Sequence, residues 1–157
     1  MNDKDDLIES VVKQQTEEHS VQSNEIIEAI GLKELAELLN EFSFCNSPIL
    51  VDDDDTCFRI TLGQTHVLFF SQGDWRERTA YVGMLISINR AFDEAFMSEF
   101  NQKTIVGRLY TANKEAGVTI FRGDVHLAGG VTKKHIYKKI KAFIDCYNAF
   151  NVSNTSH

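Results

Sequence analysis

The chain has 157 residues, 43% hydrophobic and 25% charged, enough for one globular domain with a sizeable core. Its 16 Lys and Arg stand against 23 Asp and Glu, and the net charge of −7 disfavours nucleic acid and anionic membrane as partners. No apolar run approaches the ~18 residues of a membrane span, no secretory or transit pattern is present, and the odd, widely spaced Cys45, Cys57 and Cys146 suit a reducing compartment, so the expected location is the cytoplasm.

Charge is unevenly placed. Residues 1–100 carry 7 basic and 20 acidic side chains, whereas residues 101–157 carry 9 and 3. The basic part is expected either to face the acidic part or to form a local patch.

In chain order, residues 1–22 are polar, with a short apolar stripe at Leu7, Ile8, Val11 and Val12, and read as a loosely helical or disordered arm. A single domain is expected over 23–150, and 151–157 form a polar tail. From residue 23 the spacing is helical but changes phase. Ile26, Ile27 and Ile30 lie on one side, and Leu32, Leu35, Leu38, Leu39 and Phe42 on another. A kink or break is therefore expected at Gly31, with a firm helix over 32–42.

Pro48 ends that pattern. Strands are expected over 49–51, 56–62, 65–71 and 78–86, with Asp52 to Asp55 turning between the first two and Gly63-Gln64 forming a two-residue hairpin. In the fourth strand Ala80, Val82, Met84 and Ile86 share one face, and Tyr81 and Leu85 the other. A helix capped by Ser87 or Asn89 is expected to reach Phe100, burying Ala91, Phe92, Ala95, Phe96 and Phe100. Strands over 105–111 and 118–127 then flank the loop 112–117.

Gly129 and Gly130 reverse the chain, Thr132 is placed to N-cap a last helix over 133–150, and Val131 with Ile136 fits a hydrophobic staple. Ile136, Tyr137, Ile140, Phe143, Ile144, Tyr147 and Phe150 make its buried stripe. Long helical crossovers are too few for a doubly wound sheet. The fold class is α+β, a largely antiparallel meander with helices packed on it.

Phe100-Asn101, Val106-Gly107-Arg108-Leu109-Tyr110, a charged loop, a strand, Gly129-Gly130-Val131-Thr132 and a closing helix together resemble the YbjN family of bacterial sensory transduction regulators, over residues 56–150 with an echo in 32–42. Phe100-Asn101 replaces a Trp-Asn frequent in that family, and the last helix is richer in lysine. The resemblance implies a fold like that of type III secretion chaperones, which are small acidic proteins that commonly dimerise and bind other proteins. It implies no enzyme, cofactor or metal.

The residues themselves state no reaction. Asp52 to Asp55 lack the glycine and the glutamate that a calcium loop needs at its sixth and twelfth positions, and read as a solvated hairpin turn. The histidines show no ligand pair on one element, and the acidic turn beside Cys57 disfavours its thiolate. Gly129-Gly130 with Lys133 and Lys134 is the best small-ligand signal, yet it lacks the P-loop and dinucleotide signatures and reads as a turn and cap. A rival enzyme or ligand-sensor reading needs scattered residues such as His66, His126, Arg108 and Lys134 to converge.

The favoured function is a non-catalytic protein-binding regulator or chaperone-like adaptor, a homodimer with a protein partner; a dedicated secretion chaperone is a narrower form of it. Val67, Leu68, Phe69 and Phe70 are apolar on both sides of the sheet, so both faces need cover, by helices or by a second protein. Contact residues are expected at Val67 and Phe69, at Trp75 as a rim anchor, and at Lys134, Lys138 and Lys141, which project away from the apolar stripe of the last helix.

Overall fold

The computed structural model describes residues 25–73 and 75–154, so the expected arm over 1–22 lies outside it. In chain order the elements are β1 (Ile26–Ile27), α1 (Leu32–Glu41), β2 (Cys57–Leu62), β3 (Thr65–Ser71), a 3-10 turn (Trp75–Glu77), β4 (Tyr81–Ile88), α2 (Glu94–Lys103), β5 (Arg108–Asn113), β6 (Val118–His126), β7 (Val131–Thr132) and α3 (Lys133–Asn154).

Gly31 is a break, as expected, but what precedes it is strand rather than helix. Ile26 and Ile27 pair with Thr132 and Val131, and Ile30 bridges Thr79. Three isoleucines over five positions satisfy either period, and their β-branching suits the strand. Gly31 is the N-cap of α1, where the Glu34 carboxylate accepts from the Gly31 N–H at 2.7 Å. At the other end Ser43 takes a left-handed φ of 50°, Ser43 N–H donates to Asn40 O, and Phe44 N–H to Leu39 O, each at 3.0 Å. This is a Schellman stop with serine in the usual glycine place.

Residues 49–51 do not form the expected strand. The Asn40 amide serves Ile49 as a ladder partner would, accepting from its N–H at 2.8 Å and donating to its C=O at 3.0 Å. The Asp52 to Asp55 run is therefore a loop turn and not a hairpin. β2, β3 and β4 do form an antiparallel meander. The chain then crosses through α2 to the far edge, and β6 returns between β4 and β5, giving the all-antiparallel order β2-β3-β4-β6-β5. The meander expectation holds for the first three strands only.

Two boundaries moved for identifiable reasons. β4 starts at Tyr81 because Arg78 has a left-handed φ of 56° and Thr79 is taken by the bridge to Ile30. α2 starts after Asp93, which accepts from Phe96 N–H at 2.7 Å, rather than after Ser87 or Asn89. The buried Thr119 hydroxyl donates to Arg90 O at 2.7 Å and holds that stretch out of the helix. As a result Ala91 and Ala95 are exposed, Phe92, Phe96 and Phe100 are only half-buried, and Met97 is the buried residue of α2.

α3 begins as expected, with Thr132 Oγ1 accepting from His135 N–H at 3.2 Å, and continues past Phe150 into the stretch expected to be tail. Ile136, Ile140, Phe143, Ile144, Tyr147 and Phe150 are all buried. Phe143 stacks on Phe121 of β6 with centroids 4.6 Å apart. Gly123 permits that approach, since a β-carbon there would come within 2.6 Å of the Phe143 ring. Phe100 of α2 also meets Phe121, and Phe42, just past α1, stacks on Tyr137 of α3 at 4.5 Å. All three helices thus join one core on one sheet face, with Phe58, Ile60, Val67, Phe69, Val82, Met84, Ile86, Leu109 and Val125 beneath them. Each such side chain contributes ~1.5–3 kcal/mol.

Candidate protein-contact surface

Strand geometry sends alternate side chains to opposite faces, so with Val67 and Phe69 under the helices, Leu68 and Phe70 stand on the other face. Among the described residues no helix covers that face. Leu68 lies opposite Leu85, and Phe70 opposite Gly83. All three large side chains are half-buried by their neighbours alone. The Phe70 ring occupies the space a side chain at Gly83 would need. The Arg122 guanidinium sits 5.1 Å from the Phe70 ring centre and 3.3 Å from the Asp124 carboxylate. Such a cation–π contact contributes ~0.5–1 kcal/mol at an exposed site.

Around this patch Tyr81 and Tyr110 are each 41% exposed. Tyr81 meets His126 edge-on at 4.9 Å at one end, and Thr61 shares a hydrogen bond of 3.0 Å with His66 at the other. Arg59 is exposed on β2 and has no ion-pair partner among the described residues. The surface is therefore apolar in the middle, with hydroxyl, imidazole and mostly cationic groups around it.

The expected contact residues do not converge. Val67 and Phe69 are 0% exposed on the helix-covered face, which removes them from any surface. Trp75 is 8% exposed and belongs to the core rather than a rim, and its indole Nε1 has no partner among the described residues. Lys134, Lys138 and Lys141 are exposed as expected, but they point outward from α3 and so lie on the far side of the domain from the open sheet face. Leu68 and Phe70, part of the two-sided apolar run but not chosen as contacts from the sequence, line this face with Leu85 and Arg122, which sequence reasoning does not single out for contact. The alternation that separates them from Val67 and Phe69 was in the sequence, but the choice of covered face was not.

The charge pattern resolves locally. Lys133, the cation least suited to a helix N-terminus, is drawn to Glu41 at 3.3 Å and Glu25 at 3.6 Å. In the turn before it Gly129 and Gly130 adopt φ of 89° and 85°. Lys141 pairs with Asp145 at 2.6 Å, and that hydrogen bond raises the lysine pKa. The acidic turn meets Lys33 of α1 through Asp53, while Asp55 accepts from Asp52 N–H at 2.9 Å.

The rival small-molecule site is not assembled. His66 and His126 stand at opposite ends of the open face, Arg108 donates to the Thr104 and Gly107 carbonyls, and Lys134 is on α3. Among the described residues no cluster of His, Cys, Asp and Glu has metal-holding geometry. The Cys45 and Cys146 thiols are pushed up by burial. A groove of about 490 Å³ runs between the loop 44–50 and the outer side of β2. The other sheet edge is partly closed by Asn101, whose amide accepts from Leu109 N–H at 2.7 Å and donates to Leu109 O at 2.8 Å. Asn101 and Gly107, both part of the family-like pattern, thus do structural work. A β-carbon at Gly107 would press on Phe121 at 2.5 Å.

No family model and no curated protein matches the chain. A chain of the solved ExoT-SpcS complex from Pseudomonas aeruginosa is similar in structure, with a TM-score of 0.53 and 13% identity, over 73% of this chain and 91% of that one. At that identity the likeness is one of fold. It agrees with the α+β architecture, an antiparallel sheet with helices packed on it, that the sequence leads one to expect. No helix among the described residues is long and apolar enough to cross a membrane.

Proposed function

We propose that the chain is a non-catalytic protein-binding module, a regulator or chaperone-like adaptor of the bacterial cytoplasm, and that it binds through the open sheet face. The observation that carries this reading is the group of half-buried Leu68, Phe70 and Leu85 on a sheet face that no described helix covers, flanked by the exposed Tyr81 and Tyr110, since an apolar patch left open to solvent commonly marks an interaction site. Arg59 and Arg122 give the partner its chemistry: a protein segment with apolar side chains flanked by carboxylates.

The fold supports a protein-binding role, because its structural neighbour was solved within a protein complex. A dedicated secretion chaperone is the narrower reading, and the same neighbour is compatible with it. Membership of the YbjN family is part of the proposal and rests on the residue pattern from Phe100 to Thr132. A homodimer is part of the same proposal, with the exposed Ile105 and Tyr110 near the β5 edge as its candidate contact. Capture of proteins on the immobilised chain, compared with the chain carrying Leu68→Asp and Leu85→Asp, tests the reading. Specific proteins should be lost from the variant, and equal capture by both would contradict it.

A further inference from the structure

We propose that the fork between β3 and β4 is a binding site for a compact carboxylic acid, one with an apolar body and a further hydrogen-bonding group. The site stands independently of the open face as a protein contact. β3 starts at Thr65 and β4 ends at Ile88, yet the two strands pair only from Leu68–Leu85 to Ser71–Val82. Residues 65–67 stay with β2 and residues 86–88 with β6, so the sheet splits between them. The next pair would be His66 with Ser87. Because the two-residue hairpin fixes the alternation of β3, the backbone N–H and C=O of these two residues face the gap.

A cavity of about 370 Å³ fills the split, within the size range of small-ligand sites. The cross-strand row Arg59, Leu68 and Leu85 forms its lip, and Tyr147 of α3 lines it from the helix side. Tyr147 is only 8% exposed, and its hydroxyl has no hydrogen-bond partner among the described residues. Burial pushes its pKa up, so it stays a protonated donor. A buried hydroxyl requires a partner, and the cavity that Tyr147 lines is the place for one. No carboxylate lines the cavity, whereas Arg59 brings a guanidinium with no ion-pair partner among the described residues, and His66 an imidazole held through Nδ1 by Thr61 at 3.0 Å. A carboxylate suits the planar guanidinium, an apolar body suits Leu68 and Leu85, and a second polar group suits the Tyr147 hydroxyl. His66 is all that this site shares with the scattered set of His66, His126, Arg108 and Lys134.

The test is an amide-detected NMR titration of the full chain with para-hydroxybenzoate, benzoate and the uncharged para-hydroxybenzyl alcohol. The hydroxy acid should shift the His66 and Ser87 amides saturably at or below ~10 mM. The alcohol should bind at least about tenfold more weakly, the scale of one lost charge-assisted contact. Arg59→Gln should weaken the hydroxy acid by the same factor. Tyr147→Phe should reduce it to the affinity of benzoate, and should bind benzoate as the wild type does, which a merely structural role for the hydroxyl would not produce. Arg59 is exposed and the tyrosine change removes one hydroxyl, so both variants keep the fold. No saturable shift, equal affinity for acid and alcohol, or unchanged binding of the hydroxy acid in either variant would overturn the proposal. No protein partner takes part, so these outcomes leave the protein-contact reading to the capture experiment.

Discussion

The Arg122 guanidinium lies 5.1 Å from the centre of the Phe70 ring, and that ring fills the place of the side chain Gly83 lacks. The glycine lets Phe70 lie flat on the sheet, and the arginine holds it there. An apolar surface is thereby kept level and ordered without a helix above it, which is the form a docking face requires.

The glycines of the two faces should respond differently to a β-carbon. At Gly83 the nearest atoms it would meet are at the far end of the half-buried Phe70 ring, on the open face. At Gly123 it would meet Val106 O at 2.7 Å and the buried Phe143 ring at 2.6 Å. Gly123→Ala should cost ~1–3 kcal/mol as overpacking, and Gly83→Ala clearly less. Urea unfolding of the two variants decides, and the reverse order would refute the assignment of faces.

The core argument is sharpest at Phe143, which is 0% exposed, whereas Phe92 is half-buried outside α2. Phe143→Ala should lose ~3–5 kcal/mol, Phe92→Ala appreciably less, and Phe143→Asp should not fold stably. Equal losses at the two alanine sites would show that the phenylalanines around Phe150 are as much core as those under α3.

Asp53 is held below the ordinary carboxylate range by its hydrogen bond and charge pairing with Lys33, whose own pKa is raised by the same contact. A lowered folded pKa means that the contribution is present above the unfolded value and is lost as pH falls through the folded one. The effect belongs to the acid range and is small, because both groups are at the surface. A carboxyl-detected NMR titration should show Asp53 moving up on Lys33→Met. No movement would mean that the pair does not persist in solution.

Much of this architecture could be read from residue chemistry. Thr132 as a cap, Gly63-Gln64 as the hairpin, the extent of β3 and the α3 stripe all follow from local rules that tertiary contacts did not override. What local rules miss is pairing between distant segments. Ile26 to Ile30 became strand because β7 and Thr79 were there to receive them, and the Ile49 stretch did not because Asn40 reached it first. The contact surface was half legible for a related reason. Two-sided hydrophobicity at 67–70 was visible, but only the packing of Phe121 against Phe143 tells which side is left open.

Because the lysine side of α3 and the open sheet face lie on opposite sides of the domain, reversing Lys134, Lys138 and Lys141 to Glu should leave the fold and sheet-face binding intact. The loss of the solvent-exposed Lys141–Asp145 pair should change stability little. Weakened binding in the triple variant would restore the lysine face to the contact.

The central claim is that Leu68, Phe70 and Leu85 bind protein. The most direct measurement is calorimetric titration of the strongest captured partner against wild type and against Leu68→Asp with Leu85→Asp, at matched melting temperatures. Two carboxylates placed opposite each other in the middle of the face should weaken binding about a hundredfold, the scale of losing a central hot spot. An unchanged Kd in a folded variant would contradict the account.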